Sequence, residues 1–144
     1  MKTILVVDDN EQQLYLRRTV LEAAGYAVVT AANGAEALAA ARAAPPDLIV
    51  SDILMPVMDG FLLRRACRDD AVLRSVPFIF YTATYLDAKD EALAQRLGVA
   101  RYVAGPVEND VPVSYTHLRA HATVLDLVCR LLLAQKKYNK THRS

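Results

Sequence analysis

Four residues carry groups that could act together on a charged substrate: Asp8, Asp9, Asp52 and Thr82. Each stands at the end of a short apolar run. "KTILVV" stops at Asp8 and Asp9, "DLIVSD" ends at Asp52, and "VPFIFYTA" carries Thr82 near its end. A carboxylate is costly to desolvate, so it belongs at an open rim and needs a partner where it is partly buried. Three carboxylates gathered within a few ångströms repel one another, each close pair by on the order of 4 kcal/mol at an effective dielectric of about 20. A divalent cation removes that penalty. An all-oxygen ligand set suits Mg²⁺, which takes one or two carboxylates, keeps several waters and favours a phosphate. With the charge neutralised, Asp52 can attack an activated phosphoryl group and become an aspartyl phosphate, while the Thr82 hydroxyl donates to the phosphoryl oxygens. Solvated strand ends and an ordinary β-branched threonine are the plainer alternative, and the coincidence of several strand ends on one rim weighs against it.

The elements that must position these groups alternate along the chain. "KTILVV" reads as a strand buried on both faces. "EQQLYLRRTVLEAAG" follows as an amphipathic helix with Leu14, Leu16, Val20, Leu21 and Ala24 on its apolar arc and Gly25 as its stop. "YAVVTA" is a second strand. "NGAEALAAARAA" is a second helix, with Asn33 as N-cap and Pro45-Pro46 as its end. "DLIVSD", "DGFLLRRACRDD", "VPFIFYTA", "DAKDEALAQRLG" and "ARYVAG" continue the pattern as strand, helix, strand, helix and strand. Such alternation implies right-handed crossovers and a parallel sheet covered on both faces, an open α/β sandwich. Functional groups in these folds gather at the carboxyl ends of the strands, which brings the four residues to one rim.

Composition allows one domain. With 144 residues, 53% of them hydrophobic, the chain can bury one sizeable core. No apolar run approaches a membrane span, and "MKTILVVDDN" turns acidic too early for a signal peptide, so the expectation is a cytoplasmic protein. Cys67 and Cys129 form no CxxC or metal spacing and read as reduced structural thiols. The net charge of +1 hides an asymmetry: residues 1–111 hold 11 Lys and Arg against 15 Asp and Glu, whereas residues 112–144 hold 6 against 1.

These motifs together resemble the receiver domain of a two-component response regulator. "VVDDN" is similar to that family's acidic pair, "SDILMPVMDG" to its phosphoacceptor loop, "YTAT" to its switch hydroxyl, and "YVAGPV" to its fifth strand and following proline. The resemblance spans residues 1 to about 110. It implies a flavodoxin-like (CheY-like), doubly wound sheet of five parallel strands in the order 2-1-3-4-5 with helices on both faces. By it, Asp52 is the phosphoacceptor, Asp9, Asp52 and the backbone carbonyl of Leu54 ligate Mg²⁺, and Asp8 acts through water. Thr82 and Tyr102 are the switch pair that moves inward on phosphorylation. The phosphoryl donor is a histidine kinase or phosphotransfer protein.

One departure bears on mechanism. Where the family has a lysine before the proline, this chain has Gly105, and Arg101 lies four residues back. A charge-assisted contact of the kind that lysine makes is worth about 1.5 to 3 kcal/mol. Phosphorylation is therefore expected to couple weakly to the Thr82 and Tyr102 switch. The alternative is a receiver-like interaction module that works without phosphorylation. An aspartyl-nucleophile phosphatase would carry a second Asp two residues after the first, where this chain has Leu54. The acidic rim argues against a flavin phosphate.

Residues 112–144 read as a C-terminal tail, helical over about 116–137. Leu118, His121, Leu125, Val128 and Leu132 recur at three- and four-residue steps. His117 and His121 lack a third metal ligand. From about Pro112 the tail also resembles the in-frame translation of a synthetic sequencing-library adapter, which makes it foreign to the domain and implies a lost last helix and output domain. Its basic charge then says nothing about nucleic acid, and neither nucleic acid nor membrane is expected as a direct partner. The apolar stripe either docks where a last helix belongs or pairs between chains as an artefactual homodimer.

Overall fold

The computed structural model describes residues 1–82, 87–103, 114–115 and 127–134. Five strands, β1 (Thr3–Val7), β2 (Ala27–Ala31), β3 (Leu48–Ser51), β4 (Phe78–Tyr81) and β5 (Arg101–Val103), pair in parallel in the order β2-β1-β3-β4-β5. Between them run α1 (Glu11–Ala23), α2 (Gly34–Ala43), α3 (Gly60–Arg68) and α4 (Ala88–Arg96), with a 3-10 turn at Leu73–Ser75 before β4. The sequence's alternation and strand order are those observed.

Alternate residues of the central strands feed two cores, as the two-residue period of a strand dictates. Leu5, Val7, Ile49, Phe78 and Phe80 face α2 and α3, where they meet Ala37, Ala41, Leu63 and Cys67. Ile4, Val6, Leu48, Val50, Ile79 and Tyr81 face the other way and meet Leu21 of α1 together with Val128 and Leu132. Those last two belong to a helical segment at 127–134. The part of the tail's apolar stripe that falls there is thus docked on the sheet. Leu118, His121 and Leu125, with His117, lie outside the described residues.

Each of α1 to α4 starts on an Asx residue whose side chain accepts from the backbone N–H three positions on. Asn10 serves Gln13, Asn33 serves Glu36, Asp59 serves Leu62 and Asp87 serves Asp90. Satisfying one of the unpaired N–H groups in this way sets each start. At the other end of α4, Arg64 Nε donates to Leu97 O at 2.9 Å and Arg68 Nη1 to Arg96 O at 2.8 Å, so α3 closes the carbonyl end of its neighbour.

Two observations differ from the sequence reading. A sixth strand, β6 (Ser114–Tyr115), pairs antiparallel to β5, with Arg101 opposite Tyr115. Two residues of the tail thus extend the sheet and occupy what would be an open edge. On α1, Ala24 is exposed, whereas Arg17 is buried at 3% exposure. The arc that faces the sheet runs through Leu14, Arg17 and Leu21, at steps of three and four, and so carries a charge at its centre.

Candidate functional site

The hydrogen-bonded ladder continues past the strand ends into the rim. Asp8 N donates to Ala31 O at 3.1 Å and Asp52 N to Val7 O at 2.9 Å, so both aspartates have their backbones held by neighbouring strands. Behind them residues 4–7 and 48–51 are buried. Asp8 is buried, Asp52 half-buried and Asp9 exposed. One carboxylate oxygen from each lies within 4.8 Å of the others.

Asp52 is further tied by local bonds. Its Oδ1 accepts from Ile53 N at 2.7 Å, and its backbone carbonyl accepts from Ser51 Oγ at 2.7 Å. The Thr82 hydroxyl donates to its carboxylate. Burial, and then the neighbouring charge of Asp8, push the Asp52 carboxyl above its ordinary range, while the Ile53 N–H, Arg17 and Thr82 pull the other way. This is the expected result of crowding carboxylates on a low-dielectric edge.

The loop after β3 is shaped by close contacts. Gly60 N donates to Ile53 O at 2.8 Å, and a Cβ on Gly60 would collide with Asp52 O. Gly34 N donates to Met58 O at 3.0 Å, and a Cβ there would come within 2.6 Å of that oxygen. Between the two contacts, Val57 adopts φ 69° inside a tight turn closed by Met58 N and Pro56 O at 2.7 Å. A β-branched residue in the left-handed region is strained. Leu54, whose backbone carbonyl the family resemblance assigns to the metal, stands in this loop and is 67% exposed.

Tyr102, opposite Phe80 in the β4–β5 register, is buried in the core beneath the rim. Residue 105 lies outside the described residues.

The largest departure from the sequence reading is Arg17. Its Nη1 donates to Asp8 Oδ2 at 2.6 Å, and its guanidinium lies 3.9 Å from the centre of the Tyr81 ring. The other Asp8 oxygen accepts from Asn10 N at 2.8 Å. Burial pushes the Tyr81 phenol up to about 12, with Arg17's charge acting against it, and Tyr81 OH donates to Leu132 O at 3.3 Å. The available signal was Arg17's position three residues after Leu14 and four before Leu21, which aims it at the sheet.

No described helix is long and apolar enough to cross a membrane.

A family model described as the response regulator receiver domain matches residues 4–114. The polar-differentiation response regulator DivK of Brucella anthropi is 37% identical over 106 residues, 74% of this chain and 85% of that protein. Among solved structures, the chemotaxis protein CheY4 of Vibrio cholerae superposes with a TM-score of 0.71 at 30% identity, covering 91% of this chain and 98% of that one. The signal receiver domain of a signal transduction histidine kinase from Syntrophus aciditrophicus does so with a TM-score of 0.71 at 29% identity, covering 93% and 92%. Receiver domains of this kind are signalling phosphoacceptors that interact with histidine kinases or phosphotransfer proteins and generally bind Mg²⁺ at an acidic pocket. An acidic rim at the carboxyl ends of a 2-1-3-4-5 sheet, a family match along most of the chain and relatives above one-third identity lead to one conclusion: this chain belongs to the response regulator receiver-domain family.

Proposed function

We propose that the chain is a phosphoacceptor receiver that takes a phosphoryl group from a histidine kinase or phosphotransfer protein onto Asp52. The observation that carries this reading is the convergence of Asp52 with Asp8 and Asp9 within 4.8 Å, with the Thr82 hydroxyl on Asp52. Three carboxylates with no sulfur or imidazole among them are a hard, all-oxygen donor set that fits Mg²⁺. Asp9, Asp52 and the Leu54 carbonyl would hold it, with Asp8 acting through water. Bound there, Mg²⁺ supplies charge neutralisation and orients the phosphoryl oxygens.

The ionised Asp52 carboxylate attacks phosphorus. An O–P bond forms, the P–N bond to the donor imidazole breaks, and that nitrogen takes up a proton. Thr82, released from the carboxylate, donates to a phosphoryl oxygen and couples the event to Tyr102. Partner surfaces then change affinity. The working location is the cytoplasm, residues 1–111 form the receiver, and residues 112–144 are a foreign tail through which any homodimer is an artefact.

A second reading is a phosphorylation-independent interaction module, supported by Gly105 at the position of the family's lysine. Intact mass after incubation with Mg²⁺ and acetyl phosphate separates the two. A gain of one phosphoryl group, absent from Asp52→Ala, supports the phosphoacceptor; no gain in a folded sample favours the interaction module.

A further inference from the structure

Arg17 is a costly residue to place where it is. It is 3% exposed and its Nε has no hydrogen-bond partner among the described residues. A buried ion pair rarely gains stability over an apolar pair of similar volume, and an unpartnered N–H adds to the cost. The site, not the core, is where this charge has an effect. The guanidinium occupies Asp8 Oδ2, the Asn10 N–H occupies Oδ1, and Arg17's field reaches Asp52.

We propose that Arg17 is a positioning residue that weakens Mg²⁺ binding at the acidic rim, holding Asp8 in a buried ion pair and opposing the cation with its own charge. This rests on the reading of the rim as a Mg²⁺ site. With Arg17 present, the three carboxylates and the guanidinium sum to two negative charges; without it they sum to three, and Asp8 is free to turn to the metal. The Tyr81 ring beneath the guanidinium keeps the cation in place, because its face attracts positive charge. Metal occupancy then becomes conditional: it is favoured when a phosphorylated partner brings further negative charge to the rim.

The test is Mg²⁺ affinity of the full chain by isothermal titration calorimetry at constant ionic strength, for wild type, Arg17→Gln, Arg17→Met and Arg17→Lys. Arg17→Gln keeps an N–H donor for Asp8 without the charge and is expected to bind Mg²⁺ about tenfold more tightly. Arg17→Met should do the same and gain more melting temperature from Mg²⁺ than wild type does. Arg17→Lys restores the charge and should return the affinity to within about threefold of wild type. Should Arg17→Met fail to fold without metal, the Gln and Lys pair decides. Equal affinity in wild type and Arg17→Gln would overturn the proposal while leaving the phosphoacceptor reading intact. If neither protein binds Mg²⁺, the proposal and the metal site both fall.

Discussion

Gly60 lies directly against the backbone carbonyl of Asp52, with Gly60 N donating to Ile53 O at 2.8 Å. The start of α3 is thereby seated on the loop that carries the half-buried carboxylate. Any Cβ at residue 60 must push that carbonyl away or lift the helix. Gly60→Ala is expected to cost about 1 to 3 kcal/mol of stability, the range for overpacking a close contact. It should also slow phosphorylation, because Asp52 moves with its own carbonyl. Urea denaturation reads the first effect and a time course of intact mass the second. A variant of unchanged stability would mean that the contact relaxes freely.

The raised Asp52 carboxyl has a signed consequence. The folded chain holds this proton more tightly than the unfolded chain, whose value is about 3.8. The native state therefore carries the extra proton above pH 3.8, and the stability this group contributes is lost as pH rises through the folded value. Without metal at neutral pH, Asp52→Asn should be more stable than wild type in urea. In the metal-free chain this carboxyl should lose its proton on an acid limb that lies at a higher pH than an ordinary aspartate's, followed by NMR of its carboxyl carbon. Thr82→Val removes a hydrogen bond that favours the charged form and should move that limb higher still. An unmoved limb in Thr82→Val would show that the hydroxyl does not hold the carboxylate.

Cys67 offers a probe of the opposite core. The thiol is fully buried between α3 and the sheet, neither cysteine is in a disulfide, and burial pushes Cys67 up to about 11. At pH 8 it should resist iodoacetamide in the native protein and react once urea unfolds it. The same shift makes stability decline between pH 9.0 and about 11, because the unfolded thiol ionises first. That slope is at most about 1.4 kcal/mol per pH unit. Peptide mapping of alkylation checks the first expectation and denaturation at alkaline pH the second.

Much of the rim was legible in the sequence because the strands are continuous apolar runs that stop at aspartates, and the parallel topology puts those stops on one side. Arg17 was not legible in the same way. A charge within an amphipathic helix is ordinarily assigned to solvent, and Ala24 took its place on the arc. What reverses the assignment is pairing between distant residues: Asp8 ends one strand, Tyr81 ends another, and only the sheet brings both beneath the second turn of α1. The β5–β6 pair was hidden for a related reason, since two residues carry no period to read. The Asx caps, by contrast, are local, and Asn33 was read directly.

Leu132 sets the last prediction. It is fully buried among Ile4, Val6, Leu48, Val50, Ile79 and Tyr81, and its carbonyl receives the Tyr81 hydroxyl. The tail's apolar stripe had two outcomes open to it, docking on its own sheet or pairing between chains, and residues 127–134 follow the first. Leu132→Ala should therefore cost about 2 to 5 kcal/mol in urea denaturation, as for other large-to-small changes in a packed core. Deleting residues 112–144 removes both the helical cover and β6, leaving an apolar sheet face and a strand edge uncovered. That shortened chain should associate with itself as concentration rises, measured by light scattering. If it remained monomeric, and Leu132→Ala were neutral, the docked segment would have to be judged an incidental cover, held by the face it hides without adding to the stability of the fold.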